Sequence, residues 1–214
     1  MNRYTRGRWS VNQQTGLVDV EGDFDCKVKG LKSLSGISFG HVSGSFFCSN
    51  NQLTTLAGAP QTVDGNFSCD NNQLTTLAGA PQTVGESFFC YYNQLTSLVG
   101  APQTVDGNFS CDSFTLQKGK WNPQGWTKIL ATGDSKARRL IAPLIDAGFW
   151  LQKLKGDLKK DGQVLLQLAS LWDEPGWEEQ RQEIEQRLSP EQLRVIKALK
   201  TKLGYVDPWK DGIV

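Results

Sequence analysis

The sequence predicts an α+β chain, with a short solenoid of parallel strands followed by an all-helical C-terminal domain. Three observations carry this. Residues 44–106 hold three nearly identical copies of a 21-residue segment. The five cysteines fall at 26, 48, 69, 90 and 111, so they step by 22, 21, 21 and 21. After Leu116 the period stops, and apolar residues recur instead at spacings of three and four. A fixed period of this length marks stacked supersecondary units, each unable to bury its apolar side alone.

The elements follow in order. Residues 1–20 form an N-terminal strand or cap region, residues 21–116 the repeats, and residues 117–214 the helical domain. A degenerate copy, Gly22 to Ser43, opens the array and a truncated one, Gly107 to Leu116, closes it. One full copy reads Phe67-x-Cys69-x-x-Asn72-x-Leu74-x-x-Leu77, then Gly79-Ala80-Pro81 and Val84. Phe and Cys alternate with polar residues, the period-two pattern of a short strand with one buried face. Leu, Leu and Val fill the coil interior, while Gly-Ala-Pro bends the return arm. At the strand end, Asn51, Asn72 and Asn93 are expected to stack as a structural ladder, their amides bonding turn backbone of the next coil. Asn71, one residue earlier, is expected to face outward, so that its replacement hardly changes the melting temperature.

The repeat resembles the leucine-rich-repeat family, whose core reads Leu-x-Leu-x-x-Asn-x-Leu-x-x-Leu, here with Phe and Cys in the first two places. The segment Cys48-Ser-Asn-Asn-Gln-Leu-Thr-Thr-Leu-x-Gly-Ala-Pro60 and the lead-in from Gly16 to Cys26 are similar to repeat proteins of tailed phages. The resemblance covers about residues 10–116 and implies a leucine-rich-repeat solenoid used as a recognition scaffold; it fixes no function. Bacterial effectors with such repeats can carry a C-terminal ubiquitin ligase built on a catalytic Cys, but residues 112–214 contain no Cys.

Charge and composition bound the function. No Lys or Arg occurs from Leu34 to Gln117, where Asp64, Asp70, Glu86, Asp106 and Asp112 lie. Residues 1–116 carry 6 basic and 9 acidic groups, residues 117–214 carry 17 and 13. Residues 34–117 therefore lack what nucleic-acid binding needs, Lys and Arg on the phosphates. No apolar run reaches the about 18 residues of a membrane span. A polar, basic N-terminus resembles no signal peptide, so a soluble, cytoplasmic protein is expected, in the host cytoplasm if phage-encoded.

No catalytic, metal or cofactor constellation emerges, and the expected function is non-enzymatic. The cysteines occur once per coil beside Phe and read as buried free thiols, since parallel-strand spacing sets their Cβ atoms too far apart for disulfides. His41, the single histidine, lies on the return arm of the irregular first copy and reads as surface. Aligned copies differ at outward strand positions. There Phe47, Phe89, Tyr91 and Tyr92 stand among Ser, Asn and Asp, flanked by Asp70 and Asp112. Exposed aromatics beside acids form a typical binding surface; the alternatives are rings covered by the helical domain, or Tyr92 serving only as a turn residue.

Helices are expected at 123–132, 134–146, 148–159, 162–172, 176–188 and 190–203, with Gly204 after the last and Trp126, Trp150, Trp172, Trp177 and Trp209 largely in the core. Ser189-Pro190 reads as an N-cap with Pro at the first helical position. Basic residues cluster here (Lys136, Arg138, Arg139, Lys153, Lys155), but acids such as Glu174 and Glu178 interleave. The leading expectation is a phage-encoded factor that binds and inhibits or redirects a host protein with a basic patch, a defence component among the candidates. The alternative is nucleic-acid or nucleotide binding through the basic face of the helical domain.

Overall fold

A computed structural model describes residues 4–132, 135–173 and 177–205. Contacts divide the chain into two units, residues 1–122 and 123–214. The first is a solenoid of parallel strands and the second is helical, the expected architecture.

The strands of the solenoid are β1 (Arg8–Val11), β2 (Val18–Glu21), β3 (Phe24–Asp25), β4 (Phe39–Val42), β5 (Phe46–Phe47), β6 (Thr62–Val63), β7 (Phe67–Ser68), β8 (Thr83–Val84), β9 (Phe88–Phe89), β10 (Thr104–Val105), β11 (Phe109–Cys111) and β12 (Phe114–Leu116). They form two six-stranded sheets, in the orders β12-β11-β9-β7-β5-β3 and β1-β2-β4-β6-β8-β10. The sequence pattern suggests one strand per coil, but the structure has two. The Thr-Val pairs of the return arm meet in register, Thr62 with Thr83 and Thr83 with Thr104. A constant 21-residue step holds these arms in line, so their backbone groups pair coil to coil as the Phe strands do.

Inside, Phe24, Phe46, Phe67, Phe88 and Phe109 form one column with centroids 5.0, 5.5, 5.2 and 5.2 Å apart and planes within 14°. The cysteines make a second column, all five buried and free. Leu53, Leu56, Leu74, Leu77, Val63 and Val84 are fully buried around them. At about 25 cal/mol per Å² of apolar surface, such burial is the main stabilising contribution. The return arm passes so close to the preceding coil that a Cβ at Gly79 would lie 2.5 Å from Ala57 N, and φ there is +89°. Only glycine fits that place.

The Asn ladder reaches back to the preceding coil, not on to the next. Asn72 Nδ2 donates to Cys48 O at 3.1 Å and Cys69 O at 3.0 Å, while Oδ1 accepts from Leu53 N at 3.0 Å. Asn93 repeats this with Cys69 O, Cys90 O and Leu74 N. Asn51 does so with Cys26 O, Cys48 O and Leu31 N. Asn71 is exposed as expected, but its φ is +53° and its Nδ2 donates to Asn50 Oδ1 at 2.6 Å. Asn tolerates that left-handed backbone better than other side chains do, so its replacement is not free.

Both ends of the Phe sheet are closed within the first unit. At the start, Tyr4 packs on Phe24 at 5.7 Å and Asp25 N donates to Tyr4 O at 2.6 Å. At the finish, β12 turns back antiparallel on β11. Trp121 then stacks on Phe109 at 3.8 Å, its Nε1 donating to Pro102 O at 2.8 Å.

The second unit contains α1 (Pro123–Thr132), α2 (Ser135–Ile141), a 3-10 turn at Ala142–Leu144, α3 (Ala147–Lys153), α4 (Leu158–Leu171), α5 (Glu178–Arg187) and α6 (Pro190–Tyr205). Several boundaries differ from the sequence pattern. Pro143 converts the end of the second segment into the 3-10 turn. The third helix stops at Lys153 because Gly156, at φ +73°, and Asp157, whose carboxylate caps Lys159 N and Lys160 N, start α4 instead. Gly204 falls within α6 and does not follow it. Ser189 and Gln192 cap α6 reciprocally, Ser189 Oγ accepting from Gln192 N and Gln192 Oε1 from Ser189 N. Gln192 Nε2 also donates to the fully buried Asp161 at 3.0 Å, tying α6 to α4. Burial raises the Asp161 carboxyl, but hydrogen bonds from Lys155, Gln192, Gly156 and Asp157 outweigh it and hold the pKa below its ordinary value. Trp150, Trp172 and Trp177 are core residues; Trp209 and Glu174 lie outside the described residues. No helix among the described residues is long and apolar enough to cross a membrane.

Asn72→Ala leaves Leu53 N, Cys48 O and Cys69 O without this partner, so it should lower stability by about 2–4 kcal/mol. Asn71→Ala loses only the favoured left-handed residue and a surface bond, about 1 kcal/mol. Denaturant melts of both variants check the ranking; equal losses would contradict the ladder.

Candidate protein-recognition face

The outward side of the Phe sheet is built from four columns flanking Phe and Cys. The column before Phe, Asp23, Ser45, Asn66, Ser87 and Asn108, is not a free surface. Each side-chain oxygen accepts a backbone N–H of the following coil: Ser45 N to Asp23, Asn66 N to Ser45, Ser87 N to Asn66 and Asn108 N to Ser87, at 2.8–3.1 Å. Lys118 N ends the series on Asn108 at 2.7 Å. Sequence reasoning missed this second ladder, although every residue in the column is a short side chain with an acceptor oxygen.

In the next column Asp25, Phe47, Ser68, Phe89 and Ser110 pair in register. Ser68 therefore separates the rings of Phe47 and Phe89. Phe47 is half-buried, and Lys27 Nζ sits 4.5 Å from its ring centroid. The same ammonium lies 3.4 Å from the Asp25 carboxylate. Phe47 thus stands apart from the other three aromatics, covered by the chain's own lysine.

Phe89, Tyr91 and Tyr92 do come together. Phe89 and Tyr91 are half-buried with centroids 6.2 Å apart, and Tyr91 meets Tyr92 edge-on at 5.3 Å. Tyr92 is 72% exposed. These rings line a recess of about 390 Å³ together with Ser110, Asp112 and Thr115. Tyr92 has φ +53°, where Asn50 and Asn71 stand in the copies before it. A bulky residue in that backbone conformation is strained, and such strain concentrates at functional positions.

The two carboxylates serve the fold as well as the surface. Asp70 accepts hydroxyls from Ser49, at 3.1 Å, and from Ser68, and these two hydroxyls are 2.5 Å apart. Asp112 accepts from Tyr92 N and, at 3.3 Å, from Asn93 N. In earlier coils the corresponding N–H groups find carbonyls of the next coil, Asn71 N on Tyr91 O and Asn72 N on Tyr92 O. Asp112 therefore finishes the ladder where no further copy follows. Burial, then Asp70, then Tyr92 push the Tyr91 hydroxyl above its ordinary pKa, so it stays a neutral phenol.

The nucleophilic and basic groups lie elsewhere. Burial pushes Cys26 up to about 12 and Cys48, Cys69 and Cys90 well above 9.0. The last three also donate Sγ–H to carbonyls of the following coil at 3.4 Å. His41 Nε2 sits 2.9 Å from Asp64 on the opposite sheet. Among the described residues, no group of three or more His, Cys, Asp or Glu is placed to hold a metal ion. In the helical unit Arg138 is buried and donates Nε–H to Leu130 O at 3.0 Å. Arg187, Lys160 and Lys200 face Glu183, Asp157 and Asp173, and Lys153 covers Phe149 at 4.4 Å.

Comparison with protein-family models, curated proteins and solved structures gave no match to this chain.

Two outcomes follow from this geometry. Since thiolate forms only well above neutrality, native protein at pH 8 should react slowly with a thiol reagent, and all five cysteines should titrate after denaturation without reductant; fewer than five would reveal a disulfide. Tyr92→Asn restores the residue that suits the left-handed backbone and should stabilise the chain by about 0.5–1 kcal/mol, read as a higher Tm. A lower Tm would show that the Tyr92 ring contributes more packing than its backbone costs.

Proposed function

We propose that the chain is a non-enzymatic, protein-binding solenoid of the leucine-rich-repeat type, which recognises its partner through Phe89, Tyr91 and Tyr92. One observation carries this reading. Three rings converge on one exposed recess at positions where neighbouring copies carry Ser, Asp and Asn, and one of them is held at a strained φ of +53°. Rings of this kind bury a large apolar area on binding and dominate interface energies. The absence of Lys and Arg from Leu34 to Gln117 favours a partner with a basic contact patch. The wording of the repeats, similar to tailed-phage proteins, supports a phage-encoded factor acting in the host cytoplasm on a host protein, including one of its defences.

The chain itself supplies substitutions its fold accepts, because Ser68, Ser49 and Asn71 occupy the same three columns in other copies. Phe89→Ser, Tyr91→Ser and Tyr92→Asn together should leave Tm within a few degrees of wild type. Host proteins retained by the wild type on an affinity column should be lost from this variant. Retention by both would move recognition off this face, and a large fall in Tm would assign the rings to packing.

A further inference from the structure

Phe47 shows what this face does with a ring beside a carboxylate. Lys27 lies over the ring at 4.5 Å, paired at 3.4 Å with Asp25, whose backbone is in register with Phe47. Here the chain fills the place with its own ammonium. Phe89 occupies the same column two coils on, and the flanking coils carry Ser68 with Asp70 on one side and Ser110 with Asp112 on the other. Where Lys27 precedes Phe47, the residue preceding Phe89 in that column is Asp70. No Lys or Arg stands between Lys32 and Lys118, so the repeat copies around this second ring carry Asp70 and no lysine or arginine.

We propose that the recess walled by Phe89, Tyr91, Tyr92 and Asp112 seats the ammonium of a lysine side chain from a partner protein, held against the Phe89 ring as Lys27 is held against Phe47. This rests on the recognition reading above and names the group recognised. The negative face of an aromatic ring attracts a cation, and Tyr91 and Tyr92 flank that ring with further aromatic surface. Asp70 Oδ1 receives both serine hydroxyls, and Oδ2 has no partner among the described residues. Its charge is therefore available to an incoming ammonium. The upward push that Asp70 gives the Tyr91 hydroxyl reports the same negative field. The lysine's alkyl stem packs along the rings while its head meets the Asp70 carboxylate.

The test is selection of a random dodecapeptide library on the full chain, counter-selected on the Phe89→Ser, Tyr91→Ser, Tyr92→Asn variant, followed by calorimetry on synthesised peptides. Enriched peptides should share a lysine, and replacing it with norleucine, which keeps the stem and removes the charge, should weaken binding roughly five- to tenfold. Asp70→Asn retains an acceptor for the serines and should weaken the lysine peptide about two- to fivefold, while leaving the norleucine peptide unchanged. Equal binding of both peptides, or enrichment of sequences without lysine, overturns the ammonium seat. So does a failure to enrich any peptide over the variant. If host-protein capture still depends on the three rings in those cases, the recognition reading stands and only the lysine seat falls.

Discussion

The solenoid depends on the stacking of identical phenylalanine rings at 5.0–5.5 Å from one coil to the next. That interval is close to the about 4.8 Å between neighbouring strands, so rings in one rotamer lie face to face without tilting a coil. Once the rings fix the step, every other column falls into line. Cysteines come to lie over cysteines, each Asn amide reaches the carbonyl one coil back, and each short polar side chain before Phe receives an N–H from the following coil. An insertion of one residue inside a copy would break all of these at once, because successive strand residues point to opposite faces.

Such a structure separates its two faces by their tolerance. Inward positions repeat because a column admits one size and shape, and a change at the buried Phe, Cys and Leu meets close-packed neighbours. Outward positions are free to vary once backbone groups are satisfied. The third full copy uses that freedom for Phe89, Tyr91 and Tyr92, and it does so against the backbone preference at Tyr92. The first full copy places a ring at Phe47 and covers it with Lys27. The same scaffold thus carries one ring already occupied by its own cation and a group of rings that none of the described lysines or arginines covers.

The ends of the stack explain features that no internal copy shows. A last coil leaves N–H groups and a ring face without the partners that another copy would provide. Asp112 answers the first need with its carboxylate and Trp121 answers the second by stacking on Phe109. Phe114 stands where the Asn ladder would continue, and β12 reverses direction there. The carboxylates beside these rings therefore have two tasks, satisfying local donors and setting the sign of the field.

The sequence by itself determined the period, the inward columns of Phe, Cys and Leu, the helical character of the second unit and the copies in which outward residues depart from the rest. Each of these depends only on spacing and residue type, and strand alternation or helical periodicity converts spacing directly into burial. Only the tertiary structure decided the second sheet, the backward reach of the Asn amides, the left-handed backbone at Asn71 and Tyr92, the covering of Phe47 by Lys27 and the capping role of Asp112. Those depend on which backbone groups remain unpaired after the coils stack and on where long side chains then find partners. Such facts arise between residues about 20 apart in sequence, and no local pattern encodes them.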